Sequence, residues 1–125
     1  MLDGVLGFLR AIAGHYHLDG IRANCICPGI VETGLVGEGG WSAFPQHLFT
    51  PVEMITKVVL MMLDGVEMVD SNGVKVPADK NYGQSVEINL QNFYIRTAPG
   101  FCDDEMKAIM EATSVENQKG GVICE

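Results

Sequence analysis

The segment from Asn24 to Thr33, which reads NCICPGIVET, has the residue types and spacing of a ligand-binding strand end. A Pro-Gly pair follows a short apolar run, and a Thr lies four residues beyond the glycine. Glycine lets a ligand approach the backbone closely, and α/β folds bind ligands at the carboxyl ends of their parallel strands. We therefore expect a ligand contact at Pro28-Gly29, with an ordinary turn as the alternative for that pair alone.

Other chemistry has less support in the spacing. His15 and His17 diverge on a helix, and the Cys-x-Cys pair of the same segment lacks zinc-ligand spacing, so we predict no metal site. Glu32 and His47 flank a glycine-rich stretch and are the candidates for a non-redox reaction on a small molecule, such as an isomerisation.

Composition limits the classes of protein. The 125 residues form at most one domain, with 47% hydrophobic residues and a net charge of −8. That charge argues against nucleic acid or an anionic membrane as partner, and no apolar run is long enough to span a membrane. The N-terminus resembles no signal peptide, so we expect a mature, cytoplasmic protein. The cysteines are predicted to be buried free thiols: Cys25, Cys27, Cys102 and Cys124.

Hydrophobic periodicity outlines the first half of the fold. Apolar residues at helical spacing predict a helix that closes near His17, before the turn pair Asp19-Gly20. Alternation over Ile21 to Cys27 predicts a strand. The stretch from Gly34 to Gly40 is rich in glycine, and it is equally consistent with a mobile lid and with an irregular packed loop anchored by apolar side chains: Trp41, Phe44 and Phe49.

The second half begins with a helix-start signal, Thr50-Pro51-Val52-Glu53, in which Thr50 would cap the helix and Glu53 would bond back to it. The predicted inner stripe of that helix is Val52, Ile55, Val59, Met62 and Leu63, with Gly65 as its stop.

A turn at 70–73 and a half-buried strand through Val86, Ile88 and Leu90 follow. Residues 93–95 either extend the sheet or pair back onto it. Acidic residues start a last helix, whose predicted inner face is Met106, Ile109 and Met110. We expect a domain over residues 1–113 and a flexible tail over 114–125.

This order of motifs resembles the C-terminal half of a short-chain dehydrogenase/reductase. Five motifs carry the resemblance, which covers about residues 3–90: the helix GVLGFLRAIA, the strand GIRAN, the turn PGIVET, the helix start TPVE and the strand GQSVE. The resemblance implies an α/β fold, part of a Rossmann-type layer from a doubly wound parallel sheet.

The resemblance also implies a site. The nicotinamide end of NAD or NADP would lie against Pro28-Gly29, the backbone of Val31 would hold the carboxamide, and Thr33 would add a hydrogen bond.

The family's Gly-rich phosphate turn, its catalytic Ser and its Tyr-x-x-x-Lys pair have no counterpart in this sequence. We therefore expect the isolated chain to lack dehydrogenase activity. We expect its exposed sheet edge to be covered by a second copy, by a complementing partner chain or by a rearranged fold. Two alternatives are a degenerate binding or regulatory subunit and a small non-redox enzyme.

Overall fold

The protein is an α/β domain, seen in a computed structural model that describes residues 3–37 and 39–117. Its main sheet has three strands in the order β1-β4-β5, and β2 and β3 form a separate antiparallel hairpin. The helices are α1 (Asp3–Leu18), α2 (Val52–Asp64) and α3 (Asp104–Ala112), and the strands are β1 (Cys25–Pro28), β2 (Met68–Val69), β3 (Lys75–Val76), β4 (Ser85–Asn89) and β5 (Asn92–Ile95).

The parallel pair β1–β4 confirms the predicted partial Rossmann-type layer. The strand β5 pairs antiparallel with β4 through a tight turn at Leu90, which has φ 55°. Of the two arrangements open for residues 93–95, the chain therefore pairs back onto the sheet. The sheet as a whole is mixed.

The register of the sheet separates its two faces. Ile26 lies beside Val86, so these residues and Ile88 share one face. That face packs against α2 in a core cluster that also includes both hairpin strands and β5: Met54, Val58, Met62, Met68, Val76, Val86, Ile88, Phe93 and Ile95. Cys25, Cys27, Ser85 and Glu87 share the other face. The buried residues of α1 lie outside the cluster and cover that second face: Leu6, Leu9 and Ala13.

The helix α2 corrects two predictions. Its buried face is Met54, Val58 and Met62, whereas Val52 is 54% and Leu63 is 67% exposed. Only Met62 of the predicted stripe is buried. Nine of the thirteen positions of this helix are apolar, so periodicity alone cannot select the face that meets the sheet.

The predicted capping of α2 is also wrong. The N-cap is Pro51, and no side chain caps the helix. Thr50 instead uses its hydroxyl oxygen to accept a hydrogen bond from the backbone N–H of Leu90 (3.0 Å). The hydroxyl that the sequence predicts as a helix cap therefore bonds to the turn between β4 and β5 instead.

The strand β1 begins at Cys25, four residues later than predicted. The side chain of Asn24 accepts a hydrogen bond from the Gln84 N–H (2.9 Å) and donates to Asn81 Oδ1 (3.2 Å). An Asn that bonds to nearby backbone offers the chain an alternative to ladder pairing. The ladder therefore starts only after Asn24.

Two polar side chains satisfy the carbonyls at the C-terminus of α2, where Gly65 adopts φ 65° as the predicted stop. Arg22 donates to the Leu63 carbonyl (2.5 Å). Asn81, fully buried, donates to the carbonyl of Val66 at 2.8 Å and more weakly to that of Met61. Arg22 precedes β1 and Asn81 precedes β4, so these bonds connect the C-terminus of α2 to the segments that lead into both strands.

The two edges of the main sheet differ. On the outer side of β5, the Asp70 carboxylate accepts from the Ile95 N–H (2.9 Å), and Ser71 exchanges hydrogen bonds with Phe93. The predicted turn at 70–73 thus serves as a cap on that edge. Within residues 3–37 and 39–117, β1 pairs only with β4, so its other edge is open, as expected.

The last helix differs from its prediction. Asp103 caps α3 by accepting from the Met106 N–H (2.7 Å). The predicted inner face is 41–56% exposed, at Met106, Ile109 and Met110. These side chains therefore cover no core in this chain.

Beyond α3, Glu116 accepts a hydrogen bond from Tyr82, and the ring of Tyr82 stacks on His17 at 3.8 Å. The rest of the predicted tail, with Cys124, lies outside the described residues. No helix in the described part of the chain is long and apolar enough to cross a membrane.

Asp70 supplies the first testable prediction. Burial alone would raise its pKa, but backbone N–H groups, led by those of Ile95 and Val74, outweigh burial and lower the pKa. Asp70→Asn should reduce the free energy of unfolding by roughly 2–3 kcal/mol in urea titrations at pH 7, because it removes charge-assisted bonds at a buried site. Asp19→Asn, in an exposed turn, is the matched control and should change little.

The effect of Asp70 should depend on pH with a definite sign. A lowered pKa in the folded state contributes stability above the unfolded value of about 4, and this contribution is lost as the pH falls through the folded pKa. The difference in free energy of unfolding between wild type and Asp70→Asn should be constant above about pH 5 and should shrink toward zero as the pH falls below about 4. A difference that widens on acidification would contradict this role for Asp70.

Candidate functional site

The Pro28-Gly29 turn is fastened to the ends of two other segments. The Gly29 N–H donates to the Ile88 carbonyl of β4 (2.7 Å), and the Thr50 N–H donates to the Ile30 carbonyl (2.7 Å). Because the hydroxyl oxygen of Thr50 also accepts from Leu90, this residue links the chain leaving β1 to the chain leaving β4. The backbone of the turn is thereby held in place.

Gly29 is required by packing. An added Cβ would lie 2.9 Å from Asn89 Oδ1, 2.9 Å from Thr50 Oγ1 and 3.4 Å from the Ile88 carbonyl oxygen. The predicted reason for this glycine was close approach of a ligand. The structure supplies a separate reason, which is the close approach of two side chains: Asn89 at the end of β4 and Thr50 just before α2.

The segment beyond the turn carries the other predicted contacts. Val31 is half-buried and Thr33 is exposed. No hydrogen bond from the backbone N–H or C=O of Val31 reaches any described residue. The hydroxyl oxygen of Thr33 accepts from the Leu35 N–H (3.3 Å), which leaves the hydroxyl proton available to a ligand.

The glycine-rich stretch folds back onto Thr33. The indole N–H of Trp41 donates to the Thr33 carbonyl (2.9 Å), and its ring meets Phe44 at 6.0 Å and Phe49 at 5.6 Å. Two short 3-10 turns, Gly40–Ala43 and Gln46–Leu48, shape the rest. The predicted aromatic anchors are therefore in contact with one another, while Leu35 in the glycine-rich stretch is 91% exposed.

A cavity of about 440 Å³ lies beside the turn, on the face of the sheet that α1 covers. Pro28 and Gly29 line it, together with Leu6 and Arg10 of α1. Val31 and Thr33 are outside its lining. Glu32 and His47 also lie outside it, and both are exposed, so the structure does not bring this pair to the cavity.

The strands supply the polar lining of the cavity. Ser85 is 2% exposed, and its hydroxyl has no hydrogen-bond partner among the described residues. The Cys27 thiol lies close enough to interact with it electrostatically, but no hydrogen bond of good geometry joins them. Burial, with a smaller contribution from Cys25, raises the pKa of the Cys27 thiol, which keeps it protonated near neutral pH and a poor nucleophile.

The cysteines are free where they are described. Cys25 and Cys27 are half-buried, and Cys102 is exposed rather than buried as predicted. Across residues 3–37 and 39–117 there is no group of three or more His, Cys, Asp or Glu side chains that could hold a metal ion.

Sequence reasoning missed three residues near the turn and the cavity, namely Thr50, Ser85 and Asn89. The sequence predicts Thr50 as a helix cap, and the predicted strand through Val86, Ile88 and Leu90 gives Ser85 and Asn89 no role. The only available signal was their position at the ends of predicted elements, because the contacts of Thr50 and Asn89 with Gly29 span 21 and 60 residues of sequence.

The fold defines an α/β protein of Rossmann type, and the Pro28-Gly29 turn lies at the carboxyl end of its parallel strands, where such folds bind ligands. Known proteins narrow the class. The chain is 46% identical over 125 residues to the short-chain dehydrogenase/reductase prx7 of Penicillium rubens, a match that covers 96% of this chain and 44% of that protein.

A shorter match, 43% identical over 35 residues, joins the chain to an uncharacterized short-chain type dehydrogenase/reductase, y4mP, of Sinorhizobium fredii, covering 28% of this chain and 14% of that protein. No family model and no solved structure matches. By sequence, the chain corresponds to a C-terminal segment of a short-chain dehydrogenase/reductase, as its motifs indicate. It spans less than half the length of the curated relatives that it matches.

Gly29→Ala tests the packing of the turn. The added methyl group should cost about 1–3 kcal/mol of folding free energy, since two side chains and a carbonyl already occupy its position. Thermal or urea unfolding measures this cost. Gly34→Ala, where a Cβ would meet nothing within 4 Å, is the matched control.

The second substitution Asn89→Ala should recover part of the loss in Gly29→Ala, because it removes one of the two obstructing side chains. Equal stability of Gly29→Ala and Gly34→Ala would show that the turn is not packed as described.

Proposed function

We propose that this chain supplies the nicotinamide side of an NAD(P)-dependent oxidoreductase that acts on a hydroxyl or carbonyl group of a small molecule. The observation that carries the proposal is the fixed Pro28-Gly29 turn at the end of β1, followed by Val31, whose backbone N–H and C=O bond to no described residue. A bound nicotinamide would supply hydride transfer.

The residues after the turn fit a carboxamide. An amide group presents one acceptor oxygen and an NH₂ donor, so it needs a donor and an acceptor from the protein. Val31 offers a backbone N–H and a C=O that bond to no described residue, and the Thr33 hydroxyl can donate. Val31 is half-buried.

The chain by itself lacks the acid–base machinery of the family. None of its tyrosines is followed by a lysine four residues later: Tyr16, Tyr82 and Tyr94. A hydrogen bond to Glu116, together with burial, raises the pKa of Tyr82, which opposes a role as a proton-transfer group near pH 7. We therefore propose that the isolated chain has no dehydrogenase activity.

The missing groups would come from a complementing partner. The open edge of β1 is a template for a further parallel strand. On α1, Val5 is 50% and Phe8 is 64% exposed, which leaves further apolar surface for a partner to cover. A second copy of the chain would cover this surface without supplying the missing groups. That arrangement corresponds to the alternative of a binding or regulatory subunit.

The free thiols of the cysteines are the basis for a proposal about the cellular location of the protein. The half-buried thiols Cys25 and Cys27 are free. Persistent free thiols are typical of the reducing cytosol. We propose a cytoplasmic location on that basis.

A complementation experiment tests the proposed function. The 125-residue chain would be mixed with a separately produced N-terminal half of the Penicillium rubens relative. We expect NADH fluorescence to show saturable binding only for the mixture, and alcohol or ketone substrates to turn over only there. Saturable NADH binding by the chain alone would contradict the proposed incompleteness.

Thr33→Val in the mixture should weaken NADH binding about tenfold, the loss expected for one hydrogen bond to the cofactor. Thr56→Val, on the exposed side of α2, is the matched control. Equal NADH affinity in both variants would remove Thr33 from the site.

A further inference from the structure

The cavity beside α1 has a charge pattern unlike the rest of the molecule. The chain has a net charge of −8 and only three arginines, yet Arg10 and Arg96 both line this cavity. The third, Arg22, donates to the Leu63 carbonyl at the end of α2. With Glu87 as the acidic lining residue, the charged lining carries a net charge of about +1.

Neither cavity arginine is fully engaged. Arg10 reaches the Thr97 carbonyl only at 3.5 Å, the limit of a hydrogen bond. Arg96 lies 3.6 Å from a Glu87 carboxylate oxygen, and both side chains are about half exposed. Such a pair contributes little to stability, and each guanidinium keeps donors free for an anion.

The interior of the cavity is apolar with one buried polar group. Leu6, Pro28 and Pro99 contribute apolar surface. The Ser85 hydroxyl lies at the sheet and is 2% exposed; its polar neighbour is the Cys27 thiol, a weak partner, and no hydrogen bond of good geometry reaches it from a described residue. A buried hydroxyl without a partner is costly, so a ligand that bonds to it gains the difference. The volume of about 440 Å³ is in the range of small-molecule sites.

We propose that this cavity binds an apolar organic acid. Its carboxylate lies between Arg10 and Arg96 at the rim, its carbon chain lies along the apolar wall, and a hydroxyl or carbonyl group further along the chain bonds to Ser85. This site adjoins the Pro28-Gly29 turn, but it is formed by residues of this chain alone and does not depend on hydride transfer.

The charge at the rim is tested with a pair of probes that differ only in their head group. Octanoate and 1-octanol would be titrated into the 15N-labelled chain without nicotinamide, with backbone amide shifts as readout. We expect octanoate to bind about tenfold more tightly than octanol, the value of one charge-assisted contact. Equal affinity for the two probes, or no binding of either, would overturn the proposal.

Two substitutions at the rim should act in opposite directions. Arg96→Gln should weaken octanoate binding about tenfold, and Glu87→Gln should strengthen it several-fold by removing the competing carboxylate. Lys75→Gln, on the hairpin and outside the cavity, removes the same charge as a control and should change nothing. Circular dichroism would verify that each variant is folded. A folded Arg96→Gln protein with unchanged octanoate affinity would also overturn the proposal.

The buried hydroxyl has its own pair of probes. We expect 8-hydroxyoctanoate to bind several-fold more tightly than octanoate, and Ser85→Ala to abolish that difference while retaining octanoate binding. A difference that survives Ser85→Ala would exclude Ser85 as the contact. Because no assay here includes NADH, failure of the proposed dehydrogenase function would leave these results unaffected, and the reverse also holds.

Discussion

The parallel pairing of β1 with β4 is the constraint on which the rest of the structure depends. Its register places Cys25 beside Ser85 and Pro28 beside Ile88. One face of the pair then presents Ile26 and Val86 to α2, and the other presents the thiols and Ser85 to α1. Since side chains alternate along a strand, a slip of one residue would exchange the two faces and lose both the core and the cavity.

Long-range contacts of small polar side chains hold the ends of these strands. Thr50 joins the segment after β1 to the turn after β4, and Asn24 and Asn81 do the same at the opposite end. Each of these groups was available for a local role, as a cap or a strand residue. Burial decides for the long-range role, because a buried polar atom must be bonded wherever a partner exists.

The contrast between the two sheet edges is relevant to function. The hairpin turn at Asp70 and Ser71 accepts hydrogen bonds from backbone N–H groups on the outer edge of β5, so this edge of the sheet is capped by the chain itself. No strand of the described residues pairs with the other edge of β1, which adjoins the proposed nicotinamide contact. The chain spans 44% of the length of its Penicillium rubens relative. A partner that pairs with β1 would therefore bring its own groups beside Pro28-Gly29, where the proposed chemistry needs them.

The sequence by itself determined the family, the order of the three helices with β1 and β4, and the Pro28-Gly29 turn, because these depend on local spacing and turn chemistry. It also predicted Gly65 as the stop of α2 and the turn at 70–73. The tertiary structure alone decided which face of α2 is buried, that Thr50 serves the β4–β5 turn, that Gly29 packs against Asn89, and that two arginines line the same cavity as Ser85. Each of these involves residues far apart in sequence, and only their shared place at the sheet brings them into contact.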